Sequence, residues 1–324
     1  MDLSIIIPYH NEGVEFISTT LVSIIKTIDV TDYEIIIVDD FSAEKLILQN
    51  WHKTTLKPCD ITILRHQENK GVGAAFDTGV SIAKSENLFL MGSDIRFLPN
   101  KWASSMISEI KNNLKSFTCT SCVNINKDNM DIEARKKISV PTGATILMFH
   151  DKKSNPLVSE TFVGIIEAKW LPYIKDRNVD SFEIPCILGA AYGVTKDWYN
   201  YVDGWAGHKK WGTLEPYISL KSWLFGGTCR VAPRIYTAHI FKKVGTHNTP
   251  QDCLIYNKMF VSMVLLNDYK RLINFLGTNT IVERARKIIK DNMPYIIAKR
   301  KEYRQKIVMD EKEFFYKWDI DYRI

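Results

Sequence analysis

Residues able to do chemistry gather in four short clusters within the first hundred positions: Pro8-Tyr9-His10-Asn11-Glu12, Asp39-Asp40-Phe41-Ser42, Asn69-Lys70-Gly71-Val72-Gly73 and Gly92-Ser93-Asp94. Each follows a short apolar run, and an open parallel sheet binds its ligands beyond the carboxyl ends of its strands. Polar and acidic groups therefore converge on one edge. Taken singly, each also has a structural use: Asn11 or Ser42 can cap a helix, Asp40 can form a turn, and Gly71 and Gly73 can serve as turn glycines. Gly71-Val72-Gly73-Ala74-Ala75-Phe76 is not a dinucleotide fingerprint, because Phe76 stands at the third glycine position and the segment follows a third strand. That excludes a nicotinamide cofactor. Cys119 and Cys122 form a lone CxxC with no second pair at metal-ligand spacing, which reads as two buried strand-edge thiols rather than a zinc or redox site.

The elements that must carry these clusters alternate in period. Leu3–Ile7, Glu34–Val38, Ile61–Leu64 and Leu88–Met91 are short apolar runs beginning 27 to 31 residues apart, the length of a βα unit. Ile17, Leu21, Ile24, Ile25 and Ile28 fall at helical spacing between the first two. Val72, Ala75, Phe76, Gly79, Val80 and Ala83 do so after the third, and Trp102, Met106, Ile107, Ile110 and Leu114 after the fourth. The fold class expected is α/β with a mostly parallel central sheet. Ala144–Phe149 reads as a further strand, and residues 150–185, rich in Lys, Asn, Asp and Pro, read as a lid or acceptor loop. From residue 251 to 324 the chain becomes helical and charged.

The whole chain of 324 residues is 45% hydrophobic and 25% charged, enough for one large core or two modest ones, which excludes disorder. Its apolar runs are about five residues long, whereas a bilayer span needs about 20, so no transmembrane segment is expected. The opening MDLSIIIPYHNEG has no basic n-region or cleavage site, and six cysteines without a signal peptide suit reduced thiols; a cytoplasmic location is expected. Net charge is +6, but Lys270 to Lys306 alone carries eleven bases against three acids, leaving the remainder slightly acidic. Arg284, Lys287, Lys299 and Arg300 in this basic tail suggest a polyanion or an anionic membrane surface, or else a solvated helical face.

Together the four strand ends, SIIIPYHNEG, IIIVDDFS, NKGVGAAFDTGVSIAKS and LFLMGSDIRF, resemble the nucleotide-diphospho-sugar glycosyltransferases of the GT-A fold, family 2 type. Leu188–Val194, Asp203-Gly204-Trp205, WGTLEPYISLKSWLFGG at Trp211–Gly227 and Ala238-His239-Ile240-Phe241 resemble the polypeptide N-acetylgalactosaminyltransferase branch of that superfamily. The resemblance implies a Rossmann-like GT-A catalytic domain over 1–250, with a nucleotide-binding half to about 115 and an acceptor and metal half from 116. A C-terminal helical region would follow over 251–324.

The resemblance also distributes roles. Pro8, Tyr9, Asn11, Glu12, Asp39 and Asp40 would contact the nucleoside, where carboxylates suit ribose hydroxyls and the uracil N–H. Lys70 and Gly71 would approach the same nucleotide, the lysine offsetting diphosphate charge and the glycine letting backbone come close. The family's DxD triplet is Gly92-Ser93-Asp94 here, so the first carboxylate is missing and Asp94 matches the last acid; His239 takes the place of the histidine that completes the metal site. Ser93 and Asp94 would sit at the nucleotide, and Asp94 with His239 would hold Mn2+ or Mg2+. The family helix with two acids three apart has Leu214 and Tyr217 at those places and one acid, Glu215, which becomes the catalytic candidate. Trp205, His208, Lys209, Lys210 and Trp211 would form a loop over the donor, the tryptophans stacking on sugar and the cations facing the diphosphate.

The expected activity is metal-dependent transfer of a sugar from a nucleotide-diphosphate donor, a UDP-sugar, to a hydroxyl acceptor. Two acceptors compete: a glycan or lipid-linked saccharide, with the basic tail on an anionic membrane, and DNA bearing hydroxymethylated bases, with the tail on phosphates. A protein hydroxyl comes third. A catalytically degenerate nucleotide-sugar or glycan-binding module is the alternative from another class, supported by Gly92 and the displaced Glu215.

Overall fold

The computed structural model describes residues 1–48, 60–125, 143–149, 164–171, 179–240 and 250–322. Four parallel strands open the fold: β1 (Leu3–Tyr9), β2 (Tyr33–Asp39), β3 (Asp60–Arg65) and β4 (Asn87–Met91), with Ile5 opposite both Ile35 and Phe89. All residues of β1, β2 and β4 are buried, the signature of strands covered on both faces, whereas β3, at the sheet edge, has no fully buried residue and carries Asp60 and Arg65 at its ends.

Helix α1 (Val14–Thr27) buries Ile17, Leu21, Ile24 and Ile25 along one stripe, and α2 (Val72–Ile82) packs on β1 and β2. Gly79 allows that approach, since a Cβ there would overlap the Ile6 side chain. Helix α3 (Trp102–Asn112) follows β5 (Ile95–Phe97), and Phe97 stacks on Trp102 at 4.1 Å. Leu114, expected on its apolar stripe, lies beyond the helix and is 61% exposed.

The second half changes direction. Strand β10 (Ala191–Thr195) runs antiparallel between β4 and β6 (Ser116–Ile125), and β11 (Thr228–Ile240) is parallel to β6 and antiparallel to β5 and β9 (Phe182–Glu183). The order is β3-β2-β1-β4-β10-β6-β11-β5, with β9 beside β11. Six of these nine described strands point one way, so the sheet is mostly parallel. Of the expected strand Ala144–Phe149, Ala144–Leu147 forms β7 and pairs with β8 (Glu167–Trp170) in a separate two-stranded sheet; most of the expected lid lies outside the described residues.

Helices α4 (Lys196–Tyr201) and α5 (Leu214–Leu224) flank the loop that precedes β11. After residue 250 come α6 (Gln251–Leu265), α7 (Tyr269–Phe275), α8 (Thr280–Asp291), α9 (Met293–Lys306) and α10 (Glu311–Lys317). These helices do not stand apart. Met259, Val264, Leu272, Ile289, Tyr303 and Phe314 belong to the same continuous apolar core as Ile5 and Ile36. No helix among the described residues is long and apolar enough to cross a membrane.

Candidate active site

Pairing of β5 with β11 sets the centre of the site. His239 lies opposite Ile95, so Asp94, one residue earlier, meets it: Oδ1 of Asp94 is 3.4 Å from Nε2 of His239. The two side chains are 13% and 22% exposed and open onto a cleft of about 620 Å3 at the carboxyl ends of β1 and β4. Pro8, Glu12, Gly92, Ser93, Trp211 and Glu215 also line it. Its wall therefore carries three acids, Glu12, Asp94 and Glu215, and no lysine or arginine among the described lining residues.

One carboxylate oxygen and one imidazole nitrogen this close fit a shared divalent cation of the N/O-binding type such as Mn2+, whose other positions substrate oxygens and water would fill. No cluster of three or more His, Cys, Asp or Glu suited to a metal occurs among the described residues. The two-donor set follows from Gly92: a Cβ there would already lie 3.1 Å from Asp94 Oδ1. Ser93 holds its carbonyl on the Thr20 hydroxyl and has a buried Oγ with no hydrogen-bond partner.

Glu215, in the first turn of α5, is packed against Gly189, where a Cβ would overlap the carboxyl. Burial raises its pKa, and a hydrogen bond from its own backbone amide only partly opposes this.

Around the cleft, loops are tied to one another by the expected nucleoside residues. Asp39 accepts from the amides of Ser42 and Leu46 and from Arg65; burial would raise its pKa, but these donors outweigh it and hold the carboxyl below its ordinary range. Asp40 accepts from the amides of Lys70 (2.8 Å) and Gly71 (2.7 Å) and pairs with His66. Asn11, with φ of 57°, accepts from the amide of Ala43. Both aspartate side chains are under 5% exposed, and these donors engage them in bracing the loops around the cleft. Tyr9 is likewise buried.

The family model for glycosyl transferase family 2 matches residues 4–169. The chain belongs to glycosyl transferase family 2. A probable N-acetylgalactosaminyltransferase 6 of Caenorhabditis elegans is 26% identical over 275 residues, covering 82% of this chain and 42% of that protein. Human polypeptide N-acetylgalactosaminyltransferase 10 is 25% identical over 273 residues, covering 83% and 43%. The crystal structure of GalNAc-T7 with UDP, GalNAc and Mn2+ superposes with a TM-score of 0.64 at 17% identity, covering 97% of this chain and 56% of that one. The fold is thus GT-A. The chain spans less than half the length of these curated relatives.

Within this family 2 fold, several expected residues turn out to do other work. Trp205 is 1% exposed, stacks on Phe76 at 5.0 Å and donates to the carbonyl of Leu214, so it is core and faces no sugar. His208 is buried against the carbonyl of Gly212, and burial drops its pKa to about 4; it is neutral and cannot serve as a cation. Lys209 extends over the Tyr256 ring at 5.3 Å, and Lys210 caps the carbonyl and side chain of Asn69. Neither ammonium lines the cleft. Trp211, 47% exposed, does line it.

Gly71 keeps its positive φ of 101°, but the backbone it admits is that of Lys210, whose carbonyl accepts from Val72 at 3.0 Å. Lys70 stays exposed beside it.

The basic tail divides. Arg284 pairs with Asp252, and Lys287 is exposed. Lys299 is bound to Asp203 at 2.6 Å and to Glu302, and Arg300 donates to the carbonyls of Met263 and Leu266, so both are committed inside the molecule. Cys119 and Cys122 lie buried on an interior strand, not at an edge, and burial pushes both thiols up to about 12.

The sequence places His10 in the first cluster but gives it no role; it bonds to the carbonyl of Asp40 and reaches Asn69. Sequence reasoning passed over Asp77, half-buried in α2, which accepts from Tyr199 and from the amide of Trp205. An acid set among Val72, Ala75, Phe76 and Val80 was the available signal.

Proposed function

We propose that this chain is a glycosyltransferase that moves a sugar from a nucleotide-diphosphate donor, UDP-linked, to a hydroxyl acceptor with a divalent cation on Asp94 and His239. The observation that carries this is the charge of the cleft: three acids with no lysine or arginine among its described lining residues, and a carboxylate and an imidazole 3.4 Å apart at its centre. A diphosphate entering such a wall needs counter-charge brought to it. Mn2+ or Mg2+ would supply it, neutralising the diphosphate as leaving group.

The chain's own residues then do the rest. Glu12 and the loops held by Asp39 and Asp40 receive the nucleoside, and Trp211 offers a ring face to the sugar. The upward shift that burial gives Glu215 makes its carboxylate a stronger base, suited to take a proton from the acceptor hydroxyl or to hold acceptor or sugar in place. A saccharide acceptor, free or lipid-linked, is favoured over DNA, because Lys299 and Arg300 are spent internally and leave fewer cations for phosphates.

A panel of UDP- and GDP-sugars, with Mn2+ or a chelator and with saccharide or hydroxymethylated DNA, tests this by nucleotide release. Metal-dependent release from one donor, abolished in Asp94→Ala and His239→Ala, is expected. Release that persists in chelator and in both variants overturns the metal assignment.

A further inference from the structure

The loop 203–213 is an unusual piece of backbone. Asp203, Gly204, Gly207, Lys210, Gly212 and Thr213, six of its eleven residues, have positive φ. Three of these are not glycine, and such residues persist only where their surroundings over-determine them. The loop also carries Trp211 to the cleft and, through Lys210, latches Gly71 and Val72.

Much of what holds it comes from the C-terminal helices, joined by α5. Asn257 on α6, fully buried, donates through Nδ2 to the carbonyls of Lys209 (2.8 Å), Trp211 (3.2 Å) and Gly212 (3.2 Å), and its Oδ1 accepts from the amide of Lys209 at 2.9 Å. From α9, Tyr303, also fully buried, donates to Asp203 Oδ2 at 2.8 Å beside Lys299. Its oxygen lies 3.1 Å from that of Tyr217, which donates to the carbonyl of Ala206. Lys221 closes the set on the carbonyls of Asp203 and Gly204.

We infer that Asn257 and Tyr303 are positioning residues: the C-terminal helices use them to fix the loop 203–213 and so set Trp211 and the Lys210–Gly71 latch at the donor cleft. This rests on the donor reading above for its functional half, while the mechanical half stands on the hydrogen bonds alone. The basic tail thereby acquires a use that needs no polyanion: Lys299 anchors the brace.

The test pairs two readouts on the full chain. Asn257→Asp keeps the shape of the side chain but removes its donors, and Tyr303→Phe removes one hydroxyl. Ile289→Val, buried in α8 and off the network, is the control matched for lost stability. Amide hydrogen exchange over residues 204–212 and at Val72 is expected to quicken ~10-fold or more in both variants and not in the control. Affinity for UDP with Mn2+, by calorimetry, is expected to fall ~5-fold or more in the same two. Unchanged exchange in both variants, or equal changes in Ile289→Val, overturns the brace. Faster exchange with unaltered UDP affinity overturns its role at the donor. Failure of the unmutated protein to bind UDP or GDP with Mn2+ condemns the donor reading, and exchange still judges the brace.

Discussion

The carboxyl of Glu215 rests against Gly189 with its own backbone amide as its hydrogen-bond donor, and burial raises its pKa. An acid raised in this way binds more protons folded than unfolded, so its contribution to stability declines as pH climbs from about 4.5 through the folded value. Glu215→Gln is therefore expected to melt higher than the parent at pH 7.5, with the gap closing toward pH 4.5, while turnover falls ~100-fold or more if the group takes the acceptor proton. Thermal melts at the two pH values and a pH–rate profile, whose acid limb should lie above the ordinary carboxylate range, check both halves. Trp205 and Trp211, both in the loop before α5, make a second contrast. Trp205→Ala should cost about 3–5 kcal/mol of stability, the range for emptying a buried aromatic site, and Trp211→Ala should leave the melt near the parent's while weakening donor use. A denaturant titration beside donor kinetics separates them. Sequence could not sort this pair, since both are tryptophans near glycines; burial at Trp205 is decided by Phe76 and Leu214 across the fold.

The elements were the most legible part. The four runs from Leu3 to Met91 are β strands at the places their apolar patterns indicate; for β1, β2 and β4 the reason is burial on both faces, which leaves a continuous apolar run that little else imitates. Asp94 and His239 were also legible, as members of motifs, and β5–β11 pairing joins them. Illegible were the functions of residues whose partners lie far along the chain. Gly71 reads as a turn or ligand-approach glycine until Lys210 is seen against it, and Lys299 reads as solvated charge until Asp203 is seen beside it. At this scale Gly71→Ala is the informative change: the added Cβ meets the Lys210 backbone at a φ of 101°, and relieving it must part the α2 N-terminus from the loop. A loss of about 1–3 kcal/mol is expected, read by chemical unfolding, together with a raised KM for the donor.

Among the described residues the main apolar core runs from the first strand to the last helix. A fragment of residues 1–250 would expose the faces of α5 and the loop that α6 and α9 cover, and it is expected to lack a cooperative melt by circular dichroism; a sharp transition near that of the full chain would contradict the shared core. The sheet order has a further effect, on how the chain is made. Strand β4 pairs on one side with β1, but its other neighbour, β10, begins at Ala191, 100 residues after β4 ends at Met91. At ribosomal speeds of about 5–20 residues per second, that edge stands open for roughly 5–20 s during each synthesis. An open, mostly apolar strand edge is a template for pairing with another chain, so yield in the cell should depend on what shields Asn87–Met91 during that interval, and slower translation should lower it.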